Sequence, residues 1–185
     1  MTETTPISPA AGTPEAKPSD KRILVAAVGN DWLQDDGFGP AVAKRLLERE
    51  LARGVTVTDF GTGGLNLAYE VMAGYDALIL IDISRQGHPP GTLYVIEPDE
   101  AEIDAAIAAG GSFDVHAMDP TSVLRFVKQV SGELPSRVLV LACEPELVVE
   151  HVNDMAIGLS DTVRDAVGRA VDLALETIAE IQAAG

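Results

Sequence analysis

The side chains best suited to chemistry in this sequence are carboxylates in the loop after one apolar run and directly at the end of another. Asp35 and Asp36 fall in Val28-Gly29-Asn30-Asp31-Trp32-Leu33-Gln34-Asp35-Asp36-Gly37-Phe38-Gly39-Pro40, between an apolar hexamer and a helical stretch. Asp82 directly follows Ala77-Leu78-Ile79-Leu80-Ile81. His116 lies in Phe113-Asp114-Val115-His116-Ala117-Met118-Asp119-Pro120, just ahead of another helical stretch. Two carboxylates and a neutral imidazole form a donor set for a borderline divalent ion, and they leave coordination positions open for another molecule's ligands. Each acid also has a plain structural explanation. Asp35 or Asp36 could cap the following helix and favour its positive end. Asp82 could open a turn.

Other candidates fare worse. His88 precedes Pro-Pro-Gly and fits an exposed turn, and His151 follows Val-Val-Glu in a segment of no clear type. Asp59-Phe60-Gly61 matches a kinase tripeptide, but the sequence has no H-R-D and no glycine-rich loop of the kinase type. The single cysteine, Cys143, ends an apolar run and fits a packed strand residue better than a nucleophile. Glu144 and Glu146 could line the same edge as the aspartates or be solvated. No serine sits in a G-x-S-x-G elbow. The glycines of the opening loop do not form G-x-G-x-x-G, and its acids would repel a pyrophosphate, which weakens a nucleotide site.

The elements that must position these residues alternate in type. Ile23–Val28, Val55–Thr58, Ala77–Ile81 and Arg137–Ala142 are predicted strands, with Thr92–Ile96 an antiparallel or edge strand after the Pro-Pro-Gly turn. Helices are predicted over Gly39–Leu51, Leu65–Met72, Thr121–Val130 and Ser160–Ala183, the last with Ser160-Asp161-Thr162 at its N-cap. The acidic stretch 97–104 and the Ala/Gly-rich continuation to Gly111 read as a helix or loop insertion. Such alternation favours a mostly parallel sheet with helices on both faces, and ligands in such sheets collect at the carboxyl edge. Asp36 and Asp82 would meet there. Residues 1–21, rich in Thr, Pro, Ser, Ala and Lys, are expected to be a flexible tail, and residues 22–185 a single α/β domain.

Bulk properties exclude several function classes. Thirteen basic residues against 29 acidic ones give a formal charge of −16, which disfavours nucleic acid and anionic lipid. No apolar run approaches the ~20 residues of a membrane span, and no secretory signal pattern opens the chain, so a cytoplasmic location without membrane insertion is expected.

Taken together, the segments resemble the nickel-iron hydrogenase maturation endopeptidases, which remove a short C-terminal extension from the hydrogenase large subunit after nickel insertion. The resemblance covers roughly residues 22 to 180. It rests first on Gly29-Asn30, a spacer, and Asp35-Asp36-Gly37-Phe38-Gly39, where the family's metal-ligating acid corresponds to Asp36. The family's second carboxylate ends a central strand, as Asp82 does in Leu80-Ile81-Asp82-Ile83, and its histidine corresponds to His116. Asp59-Phe60-Gly61-Thr62-Gly63-Gly64 resembles the family's Asp-Gly-Gly-Thr loop, linked to substrate recognition, with Phe60 in place of a glycine.

The resemblance implies a three-layer α/β/α sandwich around a five-stranded, mostly parallel, twisted sheet. It also implies a nickel-loaded large-subunit precursor as partner, with Asp36, Asp82 and His116 as catalytic and metal-binding residues. Gly29, Asn30, Asp59, Gly61, Thr62 and Gly63 would contact the substrate. Nickel would be supplied by the substrate, and no organic cofactor is implied. A nickel-checking or chaperone module that does not cut, and a nucleotide-binding α/β module, are the competing expectations.

Overall fold

A computed structural model describes residues 21–109, 120–149 and 157–184. Five strands, β1 (Ile23–Ala27), β2 (Val55–Asp59), β3 (Ala77–Ile83), β4 (Leu93–Ile96) and β5 (Arg137–Cys143), form one sheet in the order β2-β1-β3-β5-β4. All neighbours run parallel except β4, which pairs antiparallel with β5 at the edge. That edge role is why Leu93–Ile96 is only partly buried, with Val95 exposed, whereas β1 is buried throughout.

The apolar runs of β1 and β3 are buried on both faces. Ile23, Val25, Ala27, Ile79, Ile81 and Leu141 pack under α1 (Phe38–Leu46) and α5 (Asp161–Ala183). Leu24, Ala26, Leu78, Leu80 and Val140 face α2 (Gly64–Val71), α3 (Glu100–Ala108) and α4 (Pro120–Ser131). The result is the expected three-layer α/β/α sandwich. The acidic insertion resolves into α3, whose N-cap Asp99 accepts the Ala101 N–H at 2.8 Å.

Three local expectations change. First, α1 stops at Leu46 rather than Leu51. Second, Asp82 is inside β3 and paired with Ala142, not the turn residue after the strand. Third, neither Asp35 nor Asp36 caps α1: both belong to a 3-10 turn, Asp35–Gly37, and the N-cap of α1 is Gly37 with no side-chain bond. Ser160 does cap α5, accepting the Val163 N–H. Lys21, assigned to the tail, exchanges hydrogen bonds with Gln182 of α5 at 3.0 and 2.9 Å.

The chain leaves β1 toward β2 on one side and reaches β3 on the other, so the strand order reverses between β1 and β3. Such a point opens a crevice at the carboxyl edge. Gly39 lets α1 lie directly on it: a Cβ there would stand 2.2 Å from the Val28 carbonyl oxygen and 2.6 Å from that of Ile81. Only a residue without a side chain permits that approach.

Candidate functional site

At the β1/β3 carboxyl edge, Val28, Gly29, Asp36, Gly61, Thr62, Asp82 and Ile83 line a cleft of about 290 Å³. Larger hollows of about 370 and 440 Å³ lie by Tyr75 and Pro135, and by Lys21 and Arg137. What distinguishes the smaller cleft is its place and the burial of its acids: Asp36 and Asp82 are half-buried and meet at the strand-order reversal, whereas Asp76 and Glu133 beside Tyr75, and Asp31 and Asp59 in a groove of about 420 Å³, are exposed.

The loops around it are built from short backbone contacts. The Val28 N–H donates to the Ile81 carbonyl and the Gly29 N–H to that of Gly61, both at 3.0 Å. These bonds tie together the ends of β1, β2 and β3. Gly29 adopts φ 132°, and a Cβ on it would fall 1.9 Å from the Asp36 carbonyl oxygen, so the turn that brings Asp36 back over β1 requires glycine. The Asn30 N–H then donates to that carbonyl at 3.2 Å, while its side-chain oxygen accepts the Trp32 N–H at 3.0 Å.

Asp36 is half-buried. Burial raises its carboxyl pKa above the usual value, and the Asn30 backbone N–H offsets this only in part. A carboxylate held in this way is a stronger base and a more willing cation ligand than an exposed one. Asp82, also half-buried, accepts the Ile83 N–H at 2.7 Å through one oxygen.

The other sequence candidates divide. Gly29, Gly61 and Thr62 line the cleft with the two aspartates. Asn30 and Gly63 adjoin it through backbone contacts, Gly63 as the N-cap of α2. Asp59 is exposed, folds back to accept the Gly61 N–H at 2.8 Å, and borders a neighbouring groove with Asp31, Pro40 and Leu47. His116 and His151 lie outside the described residues. His88 is exposed and packs its ring against Tyr94 at 5.6 Å. No cluster of three metal-ligating side chains is found among the described residues.

Two carboxylates have roles that sequence reasoning missed. Asp35 is fully buried and accepts the backbone N–H groups of Glu146, Leu147 and Ser160 at 2.9, 2.7 and 2.7 Å, plus the Ser160 hydroxyl at 3.0 Å. Glu144 is neither solvated nor open to a ligand. Its carboxylate accepts the Gln86 and Gly87 N–H groups at 2.8 and 3.1 Å and the Tyr94 hydroxyl at 2.7 Å. Led by the Tyr94 bond, these donors lower its pKa to about 2, and burial with the facing carboxylate pushes Tyr94 up to about 12. Its place directly after a buried strand at the carboxyl edge was the available signal. Cys143 is buried, and desolvation pushes its thiol up to about 11, which fits a packed residue.

Comparison with known proteins adds a family. A family model described as Hydrogenase maturation protease matches residues 40–177. The chain is 31% identical over 152 residues to the hydrogenase expression/formation protein HoxM of Cupriavidus necator, covering 82% of this chain and 73% of that one. It is 30% identical over 168 residues to coenzyme F420 hydrogenase subunit delta of Methanothermobacter thermautotrophicus, covering 87% and 97%. Among solved structures it is similar to a hydrogenase 2 maturation peptidase from a Thaumarchaeota archaeon, with 33% identity, a TM-score of 0.65 and coverage of 86% and 99%. The hydrogenase maturating endopeptidase HybD of E. coli gives 29% identity, a TM-score of 0.66 and coverage of 86% and 93%. Because the family model spans well over half of the chain and relatives above 30% identity span most of it, this chain belongs to the hydrogenase maturation proteases and is an endopeptidase of that family.

Proposed function

We propose that this endopeptidase removes the C-terminal extension of a nickel-iron hydrogenase large-subunit precursor in the cytoplasm, and that it does so only after nickel has been inserted. The observation that carries this reading is the convergence of Asp36 and Asp82 on one cleft at the β1/β3 switch. Carboxylate oxygens complemented by the His116 imidazole form a modest, thiolate-free and open ligand set, suited to an ion that is already held by another molecule. The substrate's nickel fits that description. Docking it against Asp36, Asp82 and His116 would hold the adjoining peptide in the cleft, beside the Gly61-Thr62 turn.

Hydrolysis then needs a water, a base and a leaving amine. The water oxygen adds to the scissile carbonyl carbon as a carboxylate takes its proton. The C–N bond breaks, and the proton passes to the departing amine. Asp36, whose carboxyl pKa burial raises, is assigned the base, while Asp82 holds the ion from β3.

Metal-free enzyme incubated with nickel-loaded and nickel-free precursor tests this. Shortening of the loaded precursor alone is expected. Equal cleavage of both, or an obligatory tightly held zinc in the enzyme, would overturn it, and tight binding without cleavage would favour a chaperone.

A further inference from the structure

The short segment leaving β5, residues 143–148, is gripped from two sides. On one side, Asp35 accepts the N–H groups of Glu146 and Leu147, and its own N–H donates to the Leu147 carbonyl at 3.3 Å. Gln34 forms an isolated bridge with Val148. On the other side, Glu144 holds Gln86, Gly87 and Tyr94, the Ser84 N–H donates to the Cys143 carbonyl at 2.9 Å, and the Gly91 N–H donates to that of Glu144 at 2.8 Å. One strap therefore binds the residue just before Asp36 and the loop just after Asp82.

Strand pairing alone places only one of the two site carboxylates. Asp82 is registered against Ala142 within the sheet, but Asp36 belongs to a loop that must be held by other means. That loop carries strain at Gln34, with φ 54° and ψ −118°, a conformation that a residue with a side chain keeps only when its surroundings enforce it. The bonds on Asp35 supply the enforcement, since a buried carboxylate deprived of its donors is costly. A ligand constellation works only when its members are held to within about half an ångström.

We propose that Asp35 and Glu144 are positioning residues, which act through the strap 143–148 to set the separation of Asp36 and Asp82. The proposal rests on the reading that those two aspartates hold the substrate's metal. Neither Asp35 nor Glu144 touches the reacting peptide. An amide at either position would turn an N–H toward backbone N–H donors, loosening the strap while preserving side-chain size.

The test compares Asp35→Asn, Glu144→Gln and their double variant in the full chain, well below the melting midpoint. Affinity for Ni2+ alone is read by calorimetry, and kcat and KM from processing of the nickel-loaded precursor. Each single variant is expected to lose affinity for Ni2+ and kcat/KM by about 10- to 100-fold, as supports of metal ligands commonly do. The double variant should lose little more than the worse single, because both act on one strap. Val127→Ala, buried in α4 away from the cleft, should lower the midpoint and leave Ni2+ affinity and kcat/KM unchanged. Should an amide variant fail to fold, Ser160→Ala and Tyr94→Phe each remove one donor and are expected to show several-fold losses. Wild-type affinity and rate in folded single variants, additive losses in the double, or an equal loss in Val127→Ala would overturn the proposal. Retention of both properties by Asp36→Asn would instead overturn the underlying site.

Discussion

Asp35 and Asp36 are neighbours of identical type with opposite roles, decided by what surrounds each oxygen. Asp35 is saturated by donors and stays inside, whereas Asp36 is half-buried and lines the cleft. Asp36→Asn and Asp82→Asn are therefore expected to lower processing by about 100-fold or more while keeping the fold, as loss of a general base or ligand does; circular dichroism and precursor cleavage measure the two halves. Of the histidines, His116→Ala should be far more damaging than His151→Ala or the exposed His88→Ala, measured in the same cleavage assay. Glu144 should set part of the acid stability. Its folded pKa of about 2 lies below its ordinary value of 4.5, so its contribution is complete above 4.5 and is lost as pH falls toward 2. Tyr94, Cys143, Arg169 and His88 are titratable or charged groups around it: the His88 backbone N–H also bonds the Glu144 carboxylate and its ring packs on Tyr94, and Arg169 donates to the Gly91 carbonyl at 2.8 Å. Urea midpoints followed from pH 6 to pH 2.5 should fall more steeply for the wild type than for Glu144→Gln.

At the level of elements, α1 can sit on the β1/β3 edge because Gly39 adds nothing between helix and sheet. Gly39→Ala should cost about 1–3 kcal/mol or more in denaturant unfolding, since the intruding methyl meets backbone oxygens that cannot rotate away. The strands and most of the helices could be read from the sequence: runs such as Ala77–Ile81 are buried on both faces and announce a central parallel strand. Asp82 was visible for the same reason, as a polar residue directly after an apolar run, and Asp36 by its place in the loop between the first strand and the first helix. The division of labour between Asp35 and Asp36 was not, because the donors that claim Asp35 come from Glu146, Leu147 and Ser160, more than a hundred residues away. Glu144 was ambiguous for a similar reason: its partners Gln86, Gly87 and Tyr94 belong to another loop and another strand.

For the molecule as a whole, a charge of −16 means that self-repulsion opposes compaction. Raising NaCl from about 10 to about 200 mM shortens the Debye length severalfold and should raise the thermal midpoint, which a melting series would check. Geometry at the far edge of the sheet has a practical consequence. Lys21 and Gln182 are hydrogen-bonded to each other, and the Lys21 ammonium reaches the Ala184 carbonyl at 3.1 Å, at the opposite end of the strands from the cleft. Residues 21 and 184 can therefore be spliced by a short Gly/Ser linker, and the backbone reopened at the Gly132 turn, without disturbing any strand pairing. Such a circular permutant should still trim its precursor, and it would offer fusion points on the rear of the protein for tethering it to a surface with its cleft facing outward.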